Sequence, residues 1–284
     1  MTLQELLTSL TRDLHAADTD APALEARLLA GHVLHLDRIG LMLAMPSPVA
    51  DDAAAAIRAL TTRRCAGEPL AHITGRREFF GRDFEVSPQT LIPRPETEQL
   101  AEAAIDYLRK RPECRVLELC GGSGCIAITV AKTLPAANVT VLELSPEAME
   151  YLRANMVRHK ADNVTAVQGD ALCPPPTIQG PYDAILSNPP YIASGELPTL
   201  QKEVRREPAM ALDGGTDGLD FYRGFNDIYP RMLAPGGLLL YEIGEEQGEA
   251  VAALLRKAGL ERVAILRDVY GQPRNVLGYA PDEN

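Results

Sequence analysis

The sequence has no apolar run long enough to span a membrane, no internal repeat and no low-complexity tract. Its N-terminus, Met1-Thr-Leu-Gln-Glu-Leu-Leu, carries acid and no basic stretch, which predicts no signal peptide. Cysteine is sparse and scattered, at Cys65, Cys114, Cys120, Cys125 and Cys173, with no C-x-x-C pair and no histidine at zinc-ligand spacing. That excludes a metal site and predicts free thiols in the reducing cytoplasm. Positive charge is also in deficit: 28 basic against 39 acidic residues give a formal charge of −11. Such a chain is a poor default partner for nucleic acid, because neutralising phosphates needs clustered Lys and Arg. Arg63, Arg64, Arg76, Arg77 and Arg82 could form a local basic patch; solvated arginines on a linker are the simpler reading.

What is present describes a globular protein. The 284 residues, 46% apolar and 24% charged, suffice for one well-buried domain and a smaller one. Residues 1–73 read as helices only. Leu3, Leu6, Leu7, Leu10 and Leu14 line one helix face, with Thr2 and Glu5 spaced as a capping box. A second helix is predicted from near Asp20, with Pro22 in its first turn and Leu24 and Leu28 facing inward. A third covers Asp37 to Ala44, and Asp51 is expected to cap an alanine-rich fourth ending near Gly67. Residues 74–92 then form a linker. Phe79, Phe80 and Phe84, three of only five phenylalanines, flank a Gly-Arg-Asp turn there and predict a core-packed β-hairpin.

From residue 93 to 284 the pattern is a catalytic-type α/β domain. After a helix ending near Lys110, seven short apolar runs begin at Val116, Val139, Val164, Ala184, Leu238, Val263 and Val276, with helical segments between many of them. This alternation predicts a mostly parallel sheet covered on both faces, a Rossmann-like fold.

Between the first strand and its helix lies Glu118-Leu-Cys120-Gly121-Gly122-Ser123-Gly124. Glycines in a strand-to-helix turn let backbone approach a ligand and aim N–H groups at it. Ligands of open parallel sheets bind beyond the carboxyl ends of the strands. Glu143, with Leu144 beside it, ends the next strand and can accept both hydroxyls of a ribose; Asp170 and Ala171 follow the third. Gly122-x-Gly124-x-x-Ala127 also matches a dinucleotide fingerprint, but no convincing proton donor for hydride chemistry accompanies it. A carboxylate at Glu118 would repel a pyrophosphate. It suits S-adenosylmethionine, which has no phosphate and carries an ammonium and a sulfonium.

The fourth strand runs into Asn188-Pro189-Pro190-Tyr191. Two prolines stop the ladder and freeze the backbone. The Asn188 side-chain oxygen and the Pro189 carbonyl can hold the two N–H groups of an amide or exocyclic amine, leaving its lone pair toward a methyl donor, while Tyr191 can stack on the planar group. The same tetrapeptide alone is compatible with a rigid structural turn.

Taken together, the sequence resembles the protein-glutamine methyltransferases that modify the Gly-Gly-Gln glutamine of peptide chain release factors. The resemblance spans nearly the whole chain. Its carriers are the helical leader, Phe79-Phe-Gly, Leu91-Ile-Pro-Arg-Pro-Glu-Thr-Glu, the glycine loop, Asn188-Pro-Pro-Tyr-Ile, and Ala211-Leu-Asp-Gly-Gly-Thr-Asp-Gly-Leu-Asp-Phe-Tyr. It implies a class I methyltransferase fold with a seven-stranded sheet and S-adenosylmethionine as cofactor, released as S-adenosylhomocysteine. A release factor is the implied partner, docked by the helical bundle, and the chain is expected to act as a cytoplasmic monomer. By resemblance the cofactor loop falls on Cys120 to Gly124, the ribose acid on Glu143, the adenine side on Asp170 and Ala171, and the glutamine clamp on Asn188 to Tyr191. Arg94, Pro95 and Thr97 match the segment beside the cofactor. Cys120 replaces the family's usual glycine, and Glu118 and Glu143 its common aspartates. The Asn-Pro-Pro-Tyr motif by itself also occurs in amino-methyltransferases of nucleic-acid bases, which leaves DNA adenine or ribosomal RNA as the alternative substrate. A helical adaptor with a vestigial cofactor fold is a third possibility, which the intact Asn188-Pro-Pro-Tyr weighs against.

Overall fold

The computed structural model describes residues 1–111 and 113–282. The last two residues of the expected catalytic domain, 283 and 284, lie outside that range. Two units emerge, Met1–Arg76 with Gln201–Arg206, and Arg77–Leu200 with Glu207–Asn284.

The first unit is helical. In α1 (Leu3–Ala16) the five leucines on one stripe are all buried, each contributing about 1.5–3 kcal/mol. The Thr2–Glu5 capping box forms as the spacing predicts. In α2 (Pro22–Leu34) the buried face is Glu25, Ala26, Leu29 and Ala30, whereas Leu24 and Leu28 are 56% and 46% exposed. This corrects the predicted face. Glu25 turns inward because Arg64 meets it, at 2.8 and 3.2 Å, from α4 (Asp51–Cys65). α3 (Arg38–Ala44) is capped by Asp37. Asp51 is the first residue of α4 rather than its cap, which is Ala50. α5 (Leu70–Thr74) closes the unit. Of the arginines, Arg63 and Arg76 are exposed, as the solvated reading expects, but the others are not all so. Arg64 is buried between Glu25 and Glu203, Arg63 pairs with Glu68, and Arg77 donates to the Pro93 carbonyl.

β1 (Arg76–Phe79) and β2 (Arg82–Glu85) form the expected hairpin. Its tight turn is Phe80-Gly81, both at positive φ as a two-residue hairpin loop of matching twist requires, and not Gly-Arg-Asp. Phe79 and Phe84 are wholly buried in the core of the second unit. After α6 (Glu98–Leu108) come β3 (Arg115–Leu119), α7 (Cys125–Thr133), β4 (Asn138–Glu143), α8 (Pro146–His159), β5 (Val164–Gln168) and β6 (Tyr182–Ser187). They are followed by α9 (Asp220–Ile228), β7 (Leu233–Glu242), α10 (Gly248–Lys257), β8 (Glu261–Arg267) and β9 (Pro273–Tyr279).

The seven-stranded sheet has the order β5-β4-β3-β6-β7-β9-β8, parallel except for β9, which runs antiparallel to both neighbours. One buried cluster lies on each face of the sheet, so the strands are apolar on both sides. The chain moves outward in opposite directions from β3, to β4 on one side and β6 on the other, which makes a topological switch point there. The register puts Leu119 opposite both Leu142 and Ser187. The residues that follow these three, Cys120, Glu143 and Asn188, are thereby delivered to one edge of the sheet.

Candidate active site

At that edge is an open cavity. Cys120, Gly122, Glu143, Leu144, Asp170, Ala171, Asn188 and Pro190 line it, with further wall from Thr90, Leu91, Met210 and Phe221. Eight residues nominated from the sequence thus meet on one surface. Arg94, Thr97, Glu118, Gly121, Ser123, Gly124, Pro189 and Tyr191 do not line it.

The glycine loop is held from below. Gly122 has φ of +54° with open space where a Cβ would stand, so its conformation demands glycine and its backbone is bare toward the cavity. Its N–H donates to Glu143 Oε2 at 2.7 Å, and Ser145 N–H donates to Oε1 at 2.8 Å. Each carboxylate oxygen keeps a lone-pair site for a ligand hydroxyl. Gly121 lies against Val141 and Gly124 against Leu152, behind the cavity wall. Glu118, 1% exposed, accepts the Ala127 N–H at 2.8 Å, so its carboxylate supports the start of α7. Burial holds its pKa well above the ordinary carboxylate range, Glu143's charge adds to this, and the Ala127 N–H works against it. Cys120 adopts φ of +59°, and burial together with Glu143 raises its thiol pKa. It is a packed thiol, not an activated one.

The adenine-side residues are tethered by a group the sequence did not single out. Tyr229, wholly buried, donates its hydroxyl to the Ala171 carbonyl at 2.7 Å. Asp170 turns back on Leu172 N–H through Oδ1, at 2.8 Å.

Beyond β6, Ser187 Oγ donates to the Leu119 carbonyl at 3.0 Å and pins the two strand ends together. Asn188 then donates from Nδ2 to Thr97 Oγ1 at 3.2 Å. Its Oδ1 and the Pro189 carbonyl take no hydrogen bond from any described residue. The Tyr191 side chain packs on the core rather than on the cavity, and burial raises its phenol pKa. Its carbonyl accepts from Gln247 Nε2 at 2.9 Å, and Gln247 also reaches the Gly218 carbonyl and the Gly244 N–H. The Asp213-Gly-Gly segment supports the same stretch. Gly214 N–H donates to Ile192 O and Ile192 N–H to Leu212 O, and a Cβ at Gly214 would sit 2.8 Å from the Pro190 carbonyl. The Ile92-Pro-Arg94 stretch is tied down by buried Glu207, which accepts from Ile92 N–H at 2.9 Å and from the Arg94 guanidinium. Sequence reasoning missed Glu207, Gln247, Tyr229 and Ser187, because each holds another segment in place and carries no motif of its own.

The fold and this strand-edge cavity define a class I methyltransferase. A methyltransferase from Pyrococcus furiosus, 20% identical, superposes with a TM-score of 0.52 over 78% of this chain and 97% of its own. Residues 97–215 match the family model for the methyltransferase small domain, and residues 5–75 that for the PrmC N-terminal domain. The release factor glutamine methyltransferase of Moorella thermoacetica is 40% identical over the whole of both chains. That of Cereibacter sphaeroides is 43% identical over 94% of this chain and 95% of its own. The chain belongs to the release factor glutamine methyltransferase family.

Proposed function

We propose that this chain methylates the side-chain amide nitrogen of the glutamine in the Gly-Gly-Gln motif of peptide chain release factors, with S-adenosylmethionine as donor. The observation that carries the reading is the position of Asn188. It shares one cavity wall with Glu143 and Asp170, and its amide nitrogen is occupied by Thr97 while its oxygen is free.

The residues fit the donor. Glu143 has a remaining acceptor site on each oxygen for two ribose hydroxyls, and Asp170 has Oδ2 for an exocyclic amine. Gly122 offers bare backbone. Bound there, S-adenosylmethionine supplies a methyl group activated by sulfonium and leaves as S-adenosylhomocysteine. The chain's own task is the acceptor. A carboxamide nitrogen is a weak nucleophile because its lone pair is delocalised. Asn188 Oδ1 and the Pro189 carbonyl accept its two N–H groups, which favours a pyramidal nitrogen and directs the lone pair outward. Pro189 and Pro190, both buried, keep those oxygens in place before substrate arrives. Tyr191 serves as an anchor for the loop through its packing. The helical unit is the element we assign to docking the release factor.

The test is mass spectrometry of a release factor co-expressed with the protein, expected to show one added methyl on the Gly-Gly-Gln peptide. In parallel, labelled S-adenosylmethionine is offered with a release factor or with nucleic acid. Label in nucleic acid alone ends this reading in favour of a base methyltransferase.

A further inference from the structure

We propose that the turn between β8 and β9 is a foothold for the release factor: Val269 and Tyr270, held out at the catalytic edge of the sheet, pack on the surface that surrounds the glutamine to be methylated. The proposal rests on the reading that this chain acts on a release factor glutamine held at Asn188.

Val269 and Tyr270 are neighbours, 94% and 87% exposed, and no other large apolar side chain among the described residues is as open to solvent. Neither packs with the buried cluster on either face of the sheet. A single exposed apolar residue calls for no account, but a paired valine and tyrosine on a built support is another matter.

The support is built in detail. Asp268 N–H donates to the Gln272 carbonyl at 2.8 Å, and Gly271 N–H to the Asp268 carbonyl at 2.9 Å. Asp268 Oδ1 accepts from the Tyr270 and Gln272 N–H groups, each at 2.9 Å, and Oδ2 accepts from Arg274 Nε at 3.1 Å. Arg267 donates across the turn to the Gly271 carbonyl at 2.9 Å. The base of the hairpin is tied to α6. Gln99 Nε2 donates to the Arg267 carbonyl at 2.7 Å, and Gln99 Oε1 accepts from the buried Asn275 at 2.9 Å. The same helix follows directly on Thr97, the partner of Asn188. Tip and clamp therefore share one support. A tip stiffened in advance loses little freedom when a partner covers it, and tyrosine is suited to such contacts because its body is apolar and its end polar.

Topology places the tip beside the clamp. β7 and β8 are both antiparallel to β9, so β8 ends at the edge where β6 and β7 end. Ser187, Tyr241, Val276 and Ile265 share one row across the four strands. One residue further, Asn188 stands level with the buried Glu242, with Asn275 and with Leu266. Two to three strand spacings of ~4.8 Å, with a rise of ~3.3 Å for each residue beyond Leu266, put the tip about 15 Å from Asn188. A protein whose glutamine reaches Asn188 must lay its neighbouring surface over this edge. That selects the occupant: the release factor domain that carries the Gly-Gly-Gln loop.

The experiment measures steady-state methylation of an intact release factor by the full-length protein, comparing wild type with V269S/Y270S, Y270S and Y270F, with cofactor Kd by calorimetry on each. In V269S/Y270S the KM for the release factor should rise roughly tenfold, the scale of one lost aromatic anchor, with kcat and cofactor Kd little changed. Y270S should show most of that rise, and Y270F, which keeps the ring, should retain the wild-type KM. In a second arm, p-benzoylphenylalanine replaces Tyr270 and is photolysed with the release factor present. The crosslink should fall on residues about 15 Å from the glutamine in the folded release factor. Wild-type KM in V269S/Y270S overturns the proposal. So does a fall in kcat at unchanged KM, no crosslink, or a crosslink only to a remote part of the release factor or to a second copy of this chain. Crosslinking reads binding without turnover, so it decides even where a serine variant misfolds. Absence of methylation by wild type would overturn the proposed function instead, so the two failures are distinguishable.

Discussion

Asn188 and Glu143 stand on one cavity wall and should fail in opposite ways when truncated. Asn188 contacts Thr97 and directs its oxygen outward, so N188A should reduce kcat by roughly 10²–10³ and leave cofactor Kd nearly unchanged. Equal loss of cofactor binding in calorimetry would show that Asn188 holds the donor instead. Glu143 receives the Gly122 and Ser145 N–H groups, so E143A leaves two backbone donors unpaired beside the ligand. Cofactor Kd should weaken by about a hundredfold, the size of one to two charge-assisted hydrogen bonds. Glu242 makes a third prediction, on stability. Its folded-state pKa is raised from 4.5 to about 7, so between these values the native state holds more protons than the unfolded one. Its contribution is therefore fully present below pH 4.5 and is lost as pH rises through 7. E242Q lacks this loss and should be more stable than wild type above neutrality, by up to ~3 kcal/mol. Melting temperature against pH decides it. Asn188 and Glu143 were legible because their types and places, each at a strand end, announce chemistry. Thr97 was legible only as part of a resembling motif, and Glu242 not at all, since nothing in the sequence tells that this strand-end acid is buried.

The elements themselves were largely written in the sequence. Each of the seven sheet strands is a short apolar run between turn residues, and each is a strand in the fold. What periodicity could not give is which polar residue turns inward, as Glu25 does in α2, or which pair takes the positive φ of the hairpin turn, as Phe80 and Gly81 do. The missing information lies in the partner element. Gln247, just before α10, shows the consequence for the site. Its amide joins the Tyr191 carbonyl, the Gly218 carbonyl and the Gly244 N–H, and so fixes the clamp loop against the end of β7. Q247A should lower kcat through a loosened clamp while sparing cofactor affinity, because nothing it touches borders the glycine loop. Asn155 of α8 does the reverse. It bridges Ser123 O to both the N–H and the carbonyl of Glu85, wholly buried. N155A should destabilise the fold by about 2–4 kcal/mol in denaturant titrations and weaken cofactor binding along with it.

At the scale of the whole chain, the most distant relation lies within the helical unit, where residues 201–206 join a body otherwise made of residues 1–76. A linear division of the sequence has no means to place six residues from beyond the clamp motif in the N-terminal unit. The physical link is Arg64, buried between Glu25, 39 positions before it, and Glu203, 139 positions after it. Lys202 adds a bond to the Ala17 carbonyl and Arg206 one to the Ala66 carbonyl. A buried ion pair contributes little over a well-packed apolar pair of the same shape, but removing one partner strands the other charge away from water. Glu25 is the sterner test because its carboxylate takes two bonds from Arg64 and is nearly as buried as the guanidinium. E25A should therefore cost about 3 kcal/mol of stability, with little salt dependence, since ions do not screen a buried pair. E203A should cost less, because Glu203 keeps a quarter of its side chain in solvent. Chemical denaturation of the full chain at low and high ionic strength reads both. Equal losses from E25A and E203A, both abolished by salt, would mean that Arg64 is a surface cation and that the segment is held by its backbone contacts alone.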